Sequence, residues 1–343
     1  MQKGRRYPQI NIGSKNELAK RISYKSLPRN EALALINDVI ANFDDYWKDS
    51  KSSQPEKGKY VRSAVGTKLG FLLKLINRKV LKPYDGLVPE FIFGGISGRD
   101  HVHAAHSLLG KRRQRSLLGL DVTTFFEQVK SDRLSYLFNK KCGCGIRGAR
   151  LLAKLCCVPL GPKGSKSKKM VLARGFSTSP RLAVWSNLDT FIRVKWMTFR
   201  ILKGHDSRIV VFVDDIGISA SRVTELTFKG LSERIKTLLS EFDKKQKLPI
   251  NEQKTKIGSF TEVEHLGFHL GRNKISMANK TKAKREDLKR RITESSGSEK
   301  RKLLKKIKGY YRYGHQIKVV NQIAGSGIAG ATGAGRTQVT KTH

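Results

Sequence analysis

The chain has 343 residues, room for one large domain or two modest ones, and its 69 Lys and Arg against 28 Asp and Glu leave a formal charge of +41. That field repels itself unless a polyanion neutralises it, so nucleic acid is the natural partner, although a ribosomal or membrane-surface protein would share the charge. A hydrophobic share of 38% argues against wholesale disorder, and no apolar run approaches the roughly 20 residues of a membrane span.

Residues 1–28 are polar and basic and read as an N-terminal arm. Residues 30–47 place Leu33, Leu35, Ile36, Ile40 and Phe43 on or near one helical face. A Ser- and Lys-rich loop follows at 48–59, then a second helical pattern at 68–81. Pro83, Gly86 and Pro89 mark turns. A helix over 100–109 carries His101, His103 and His106; only the last two share a face, so phosphate contacts or helix-entry hydrogen bonds suit them better than a metal. Residues 115–121 (RSLLGLD) are a short apolar run ending in a carboxylate, with a helix from about Ser131. Cys142, Cys144, Cys156 and Cys157 lack the spacing of common zinc knuckles and read as buried thiols. Few cysteines and an N-terminus without an apolar core fit a cytoplasmic protein. The basic, Gly- and Ser-rich stretch 161–169 reads as a mobile loop on nucleic acid. Residues 209–220 set two apolar arms around Asp214 and Asp215, the pattern of a hairpin with acids at its tip. An amphipathic helix at 224–242 and a hairpin at 264–277, turning through GRNK, come next. Residues 280–318 are helical and intensely basic and carry Tyr310, Tyr311, Arg312 and Tyr313, a combination suited to duplex or structured RNA. The Gly-, Ala- and Thr-rich end should be mobile.

Acids are scarce here, so adjacent ones between β-forming residues need a reason. If the run ending at Asp121 neighbours the hairpin, all three carboxylates meet at one sheet edge, as a polymerase needs to hold two divalent cations about 4 Å apart. The alternative is a solvated turn, where Asp is common. The turn residues Val213 and Asp214 include neither Gly nor Asn, which makes a poor ordinary hairpin turn and favours a strained functional one.

Residues 120–126 (LDVTTFF) resemble the first palm motif of reverse transcriptases, and 212–215 (FVDD) their aromatic-x-Asp-Asp motif. Residues 172–180 (LARGFSTSP) resemble the bacterial Leu-Pro-Gln-Gly-x-x-Thr-Ser-Pro pattern, 251–255 (NEQKT) the Asn-x-x-Lys-Thr motif, and 265–268 (HLGF) the Leu-Gly-Phe of the primer grip. Gly98 and Arg99 lie where bacterial members carry Gly-Arg-Ser. The resemblance runs over roughly residues 55–320 and is nearest to retron-type and group II intron-type enzymes. It departs from them at Arg174, where most carry Gln, at Ala173 in place of Pro, and at 102–106 (VHAAH), where retron enzymes carry Asn-Ala-x-x-His.

The resemblance implies an α+β right-hand polymerase: fingers at 29–115, an antiparallel-sheet palm at 116–262 with finger insertions, primer grip and helical basic thumb at 263–320, and a flexible tail at 321–343. It implies catalytic Asp121, Asp214 and Asp215, with Val122 joining them around two Mg2+ ions, for which Mn2+ is a substitute. Phe126, five residues past Asp121, would be the gate against a ribose 2′-hydroxyl. Arg174 and Gly175 would lie beside the incoming nucleotide, Lys254 at the leaving pyrophosphate, and Lys59, Arg62 and Arg99 on the triphosphate. Phe212, His265, Leu266, Gly267, Tyr310, Tyr311 and Arg312 would touch nucleic acid. The expected partners are dNTPs, cDNA and an RNA template or structured non-coding RNA in defence or a mobile element, with a protein effector left open. Two rival readings are an RNA-dependent RNA polymerase, which Phe126 opposes, and a catalytically weak RNA-binding scaffold, which the intact acids oppose.

Overall fold

The computed structural model describes residues 7–111 and 114–325, the side chains of 323–325 excepted. At its centre lies a four-stranded antiparallel sheet in the order Arg208–Phe212, Asp215–Ser221, Arg115–Asp121, Lys256–Ser259. The Arg115–Asp121 strand reads as an unbroken apolar run because both its faces are covered. Leu118 and Leu120 face a large core shared with the helices Leu188–Ile201 and Glu225–Glu241. Leu117 faces a second core under the helix His101–Ser107 and the three-stranded sheet Glu264–His265, Phe268–Leu270 and Ile275–Met277. The helices start where local chemistry provides acceptors for their first amides. Asp100 Oδ1 accepts from the amides of Val102 and His103, and Thr224 Oγ1 from that of Thr227.

The N-terminal region is not the arm expected from its polarity. Ile10, Ile12, Leu18 and Ile22 are fully buried, and the Ile10 amide donates to the Cys142 carbonyl at 2.8 Å. Four apolar side chains spaced along one short strand-like segment and one helix suffice to seat residues 7–22 in the core, whatever their average composition. Residues 1–6 lie outside the described residues, as do 326–343 of the expected tail, whose first residues, 321–325, instead continue the helix Gly297–Gly325.

Elsewhere the differences are of detail. The helix expected at 30–47 is Arg29–Ala41 followed by a tighter turn, Phe43–Tyr46, and its deepest residues are Ala32, Ile36 and Val39. Within 48–63 the expected loop opens with a two-residue strand, Lys48–Asp49, paired with Arg62–Ser63. The stretch 161–169 is pinned: Leu160 and Lys169 hydrogen-bond across its base, and Lys163 Nζ donates to the Trp47 carbonyl at 2.7 Å. The four cysteines are buried, free thiols, and burial pushes Cys156 up to about 12. The basic C-terminal segment is two helices, Asn279–Glu294 and Gly297–Gly325, packed through Leu288, Leu303 and Ile307. Extended backbone at Ser295 separates them.

Candidate active site

Phe212 pairs with Asp215, so the hairpin closes through Val213 and Asp214 alone. Val213 takes φ +59°. Two-residue turns with a positive φ at the first central position normally place Gly there, and a β-branched residue enters this region at a cost of about 1–3 kcal/mol. Two neighbours fix the turn. The Val122 amide donates to the Asp214 carbonyl at 2.8 Å. Behind the hairpin, residues 91–93 extend the sheet: Phe93 donates to the Val211 carbonyl and Val211 to that of Phe91, each at 2.8 Å. Gly94 then crosses so close to Val213 that a β-carbon there would overlap its backbone.

Asp121 ends its strand directly opposite Asp215 in register, which brings Asp121, Asp214 and Asp215 to one sheet edge. The Asp121 carbonyl accepts from the Asn251 amide at 2.8 Å. The short turn Glu252–Lys254 then carries Lys254 Nζ to 2.8 Å from Asp121 Oδ1. Burial is the main cause holding Asp214 above the usual carboxylate range, and the charge of Asp121 adds to it. Burial, then the charges of Asp214 and Asp121, push Asp215 up to about 7. Lys254 is held above its ordinary value by its bond to Asp121.

Among the described residues no three carboxylate, imidazole or thiol groups form a ready-made metal cluster. The donor set nevertheless fits divalent cations: hard carboxylate oxygens lie at adjacent register positions, the charge of Asp121 raises the pKa of Asp214 and Asp215, and the contacting cation is a half-exposed lysine that can be displaced. Val122 is buried beside them.

Phe126 lies in the short helix Phe125–Gln128, 9% exposed. Arg174 covers its ring, with the guanidinium carbon 5.0 Å from the centroid. Gly175 has φ +102° and no room for a β-carbon against the Arg62 carbonyl. Tyr311 and Arg312 are exposed on the second C-terminal helix, while Tyr310 packs onto the apolar seam between the two.

Several expected site residues are used otherwise. Arg62 is buried, bonded to Asp49 and the Gly161 carbonyl, and stacked on Trp47 and Tyr60. Arg99 donates to the carbonyls of Val88, Pro89 and Ile92 at 2.6–2.8 Å. Both guanidiniums already donate to backbone carbonyls, which composition does not reveal, and Arg62 to a carboxylate as well. Lys59 is partly exposed and joins no ion pair among the described residues. Phe212 is half-packed, edge-on to His101. His265 is turned away from solvent into the sheet face at Gly119 and Gly217, which pair with each other. Burial lowers its pKa to about 4, and Nε2 has no hydrogen-bond partner among the described residues. Leu266 and Gly267 have φ +52° and +84° and form the tight turn between two strands. His101, His103 and His106 do not converge: His101 stacks on Tyr313 at 5.0 Å, His103 pairs with Asp100, and His106 is half-buried with its Nε2 shielded from solvent.

Gly94 and Glu127 carry no expected role in the sequence yet contact the site. Gly94 supports the acidic turn through the backbone alone. Glu127, directly after Phe126 in the first motif, holds Arg174 with two bonds of 2.9 Å. An acid beside an aromatic that occupies a motif position was the available signal.

A central antiparallel sheet with carboxylates on a hairpin tip and on the adjoining strand end is the arrangement of a palm-type nucleotide polymerase. The chain belongs to the reverse transcriptase (RNA-dependent DNA polymerase) family, whose model matches residues 55–270. It is accordingly an RNA-directed DNA polymerase, a nucleotidyltransferase acting with an RNA template and dNTPs. A comparison with curated proteins finds no significant match. No described helix is long and apolar enough to cross a membrane.

Proposed function

We propose that the chain copies an associated structured non-coding RNA into cDNA, with Asp121 and Asp214 as principal holders of two Mg2+ ions and Asp215 assisting. The observation that carries this reading is the convergence of three carboxylates on a turn whose strained Val213 is buttressed from two sides. Strain kept in place by its surroundings belongs at functional sites. Cations bound there supply charge neutralisation for the attacking hydroxyl and the leaving pyrophosphate. The chain's own residues do the remainder. The primer 3′-hydroxyl attacks the α-phosphorus of a dNTP, the bond to the bridging oxygen breaks, and pyrophosphate leaves. Lys254, released from Asp121, neutralises or protonates that leaving group. Phe126 presents a ring to the sugar and rejects a 2′-hydroxyl. Tyr311, Arg312 and the lysines of the two C-terminal helices grip the duplex, and the charge of +41 favours a stable ribonucleoprotein. The departures at Arg174 and VHAAH favour a divergent bacterial member, in defence or a mobile element, over a strict retron enzyme.

The test is primer extension on an RNA template with Mg2+ and dNTPs, comparing the wild-type protein with Asp214→Asn and sequencing nucleic acid that co-purifies. Extension that vanishes in the variant, with one enriched RNA species, is the expected outcome. Equal extension by both proteins would sink the site assignment, and a heterogeneous or absent RNA would sink the partner.

A further inference from the structure

Arg174 occupies a position expected to lie beside the nucleotide, yet one edge of its guanidinium is already taken by a carboxylate. Nε and Nη2 each reach a separate oxygen of Glu127 at 2.9 Å, a two-pronged ion pair whose side chains are only 19% and 13% exposed. The same guanidinium lies over Phe126, which neighbours Glu127 in sequence. From its other side Phe126 meets Phe125 edge-on at 5.9 Å. The backbone of Arg174 is fixed as well: its carbonyl accepts from the Arg62 amide at 2.6 Å, and Leu172 donates to Val129 at 2.8 Å, tying this strand to the end of the Phe126 helix. The helix is entered through Thr124 at φ +48° and is only four residues long.

We infer that Arg174 is a positioning residue for sugar selection: with Glu127 it clamps the Phe126 ring, and it does not grip the triphosphate. The inference rests on the reading of Phe126 as the sugar gate. A planar fork satisfied by one carboxylate holds the face of an adjacent ring in a way that a glutamine could not match, since a neutral amide forms weaker bonds and carries no charge to set over the ring. Substituting Arg for the family's Gln is thereby coupled to an acid at position 127.

The experiment measures kcat and KM for matched dNTP and rNTP incorporation on an RNA template. The proteins are wild type, Arg174→Gln, Arg174→Lys, Glu127→Gln, the Gln/Gln double variant and Phe126→Val. Each of the three single changes at 174 and 127 should lower the dNTP-over-rNTP ratio of kcat/KM by about tenfold. The double variant should lose no more than either Gln variant, because both remove one interaction. Arg174→Lys keeps the charge and loses the fork, so it decides the matter even if the Gln variants fold poorly. If Arg174 variants instead raise KM for both nucleotides alike, with the ratio unmoved and Glu127→Gln neutral, the clamp is wrong and the triphosphate role returns. Phe126→Val separates the layers. A lowered ratio there with no effect at 174 or 127 sinks the clamp alone, whereas an unchanged ratio sinks the sugar-gate reading beneath it.

Discussion

Carboxylates in the palm-type sheet and guanidiniums outside it meet opposite fates. Asp121 meets a half-exposed lysine, and its neighbours Asp214 and Asp215 are held above their ordinary pKa. Arg62, Arg99 and Arg181 are held in place by carbonyls, Asn77, Asp49 and Asp85. In a chain with 69 basic residues, then, positive charge does not mark the cations free to meet a substrate. Burial and backbone acceptors decide that, and the charges set against one another here are acids.

The largest test of that contrast removes an acid. Asp214→Asn should lower primer extension by about a thousandfold, several kcal/mol of lost charge stabilisation. Its melting temperature should not fall, since one member of a repelling set is gone. A lower Tm would mean that the carboxylates are compensated after all. The reverse experiment removes an acid that holds one of these guanidiniums. Asp85 takes two bonds of 2.6 and 2.8 Å from buried Arg181 and one from the Ser97 amide. Asp85→Ala should therefore cost about 3–5 kcal/mol of stability in denaturant titration, the penalty of an uncompensated buried charge. A loss under 1 kcal/mol would put water in contact with Arg181.

A smaller effect is expected from the buried imidazole. The folded state holds His265 at a pKa of about 4, below its ordinary value, through burial and then the charge of Lys256. Its contribution is present above about pH 6.5 and is lost as pH falls through about 4, with a ceiling on the order of 3 kcal/mol. His265→Leu should flatten the acid limb of the stability curve between these values; identical limbs would place the ring in water. The smallest change in stability should come from Lys254→Met. Its pair with Asp121 is half exposed, so stability should move by less than about 1 kcal/mol. Extension should nonetheless slow by about a hundredfold or more if the ammonium serves the leaving group. Unchanged extension would remove that role.

The parts of this contrast that sequence could reach are those written in apolar periodicity. The Arg115–Asp121 strand and the hairpin around Asp214 and Asp215 lie within short apolar runs, and the unsuitability of Val213 for an ordinary turn was visible in its side chain. The anchoring of Arg62 and Arg99 was not, because their acceptors are mostly carbonyls that every residue carries. Nor was the support given by residues 91–94, which act through backbone pairing and a missing β-carbon. Residues 7–22 were misjudged because averaging polarity hides four well-placed apolar side chains. His265 was read from its place in a motif, which could not tell a side chain facing solvent from one facing the sheet.

That histidine also constrains how this sequence can drift. A β-carbon on Gly217 would stand 2.5 Å from Nε2 and one on Gly119 3.3 Å from Nδ1. An alanine at Gly217 is therefore barred while the imidazole remains, and a smaller residue at 265 leaves a void that only a change at a glycine can fill. The positions, distant in sequence and none of them a catalytic group, therefore have an order of change: a side chain at Gly217 becomes admissible only after the imidazole at 265 has been replaced.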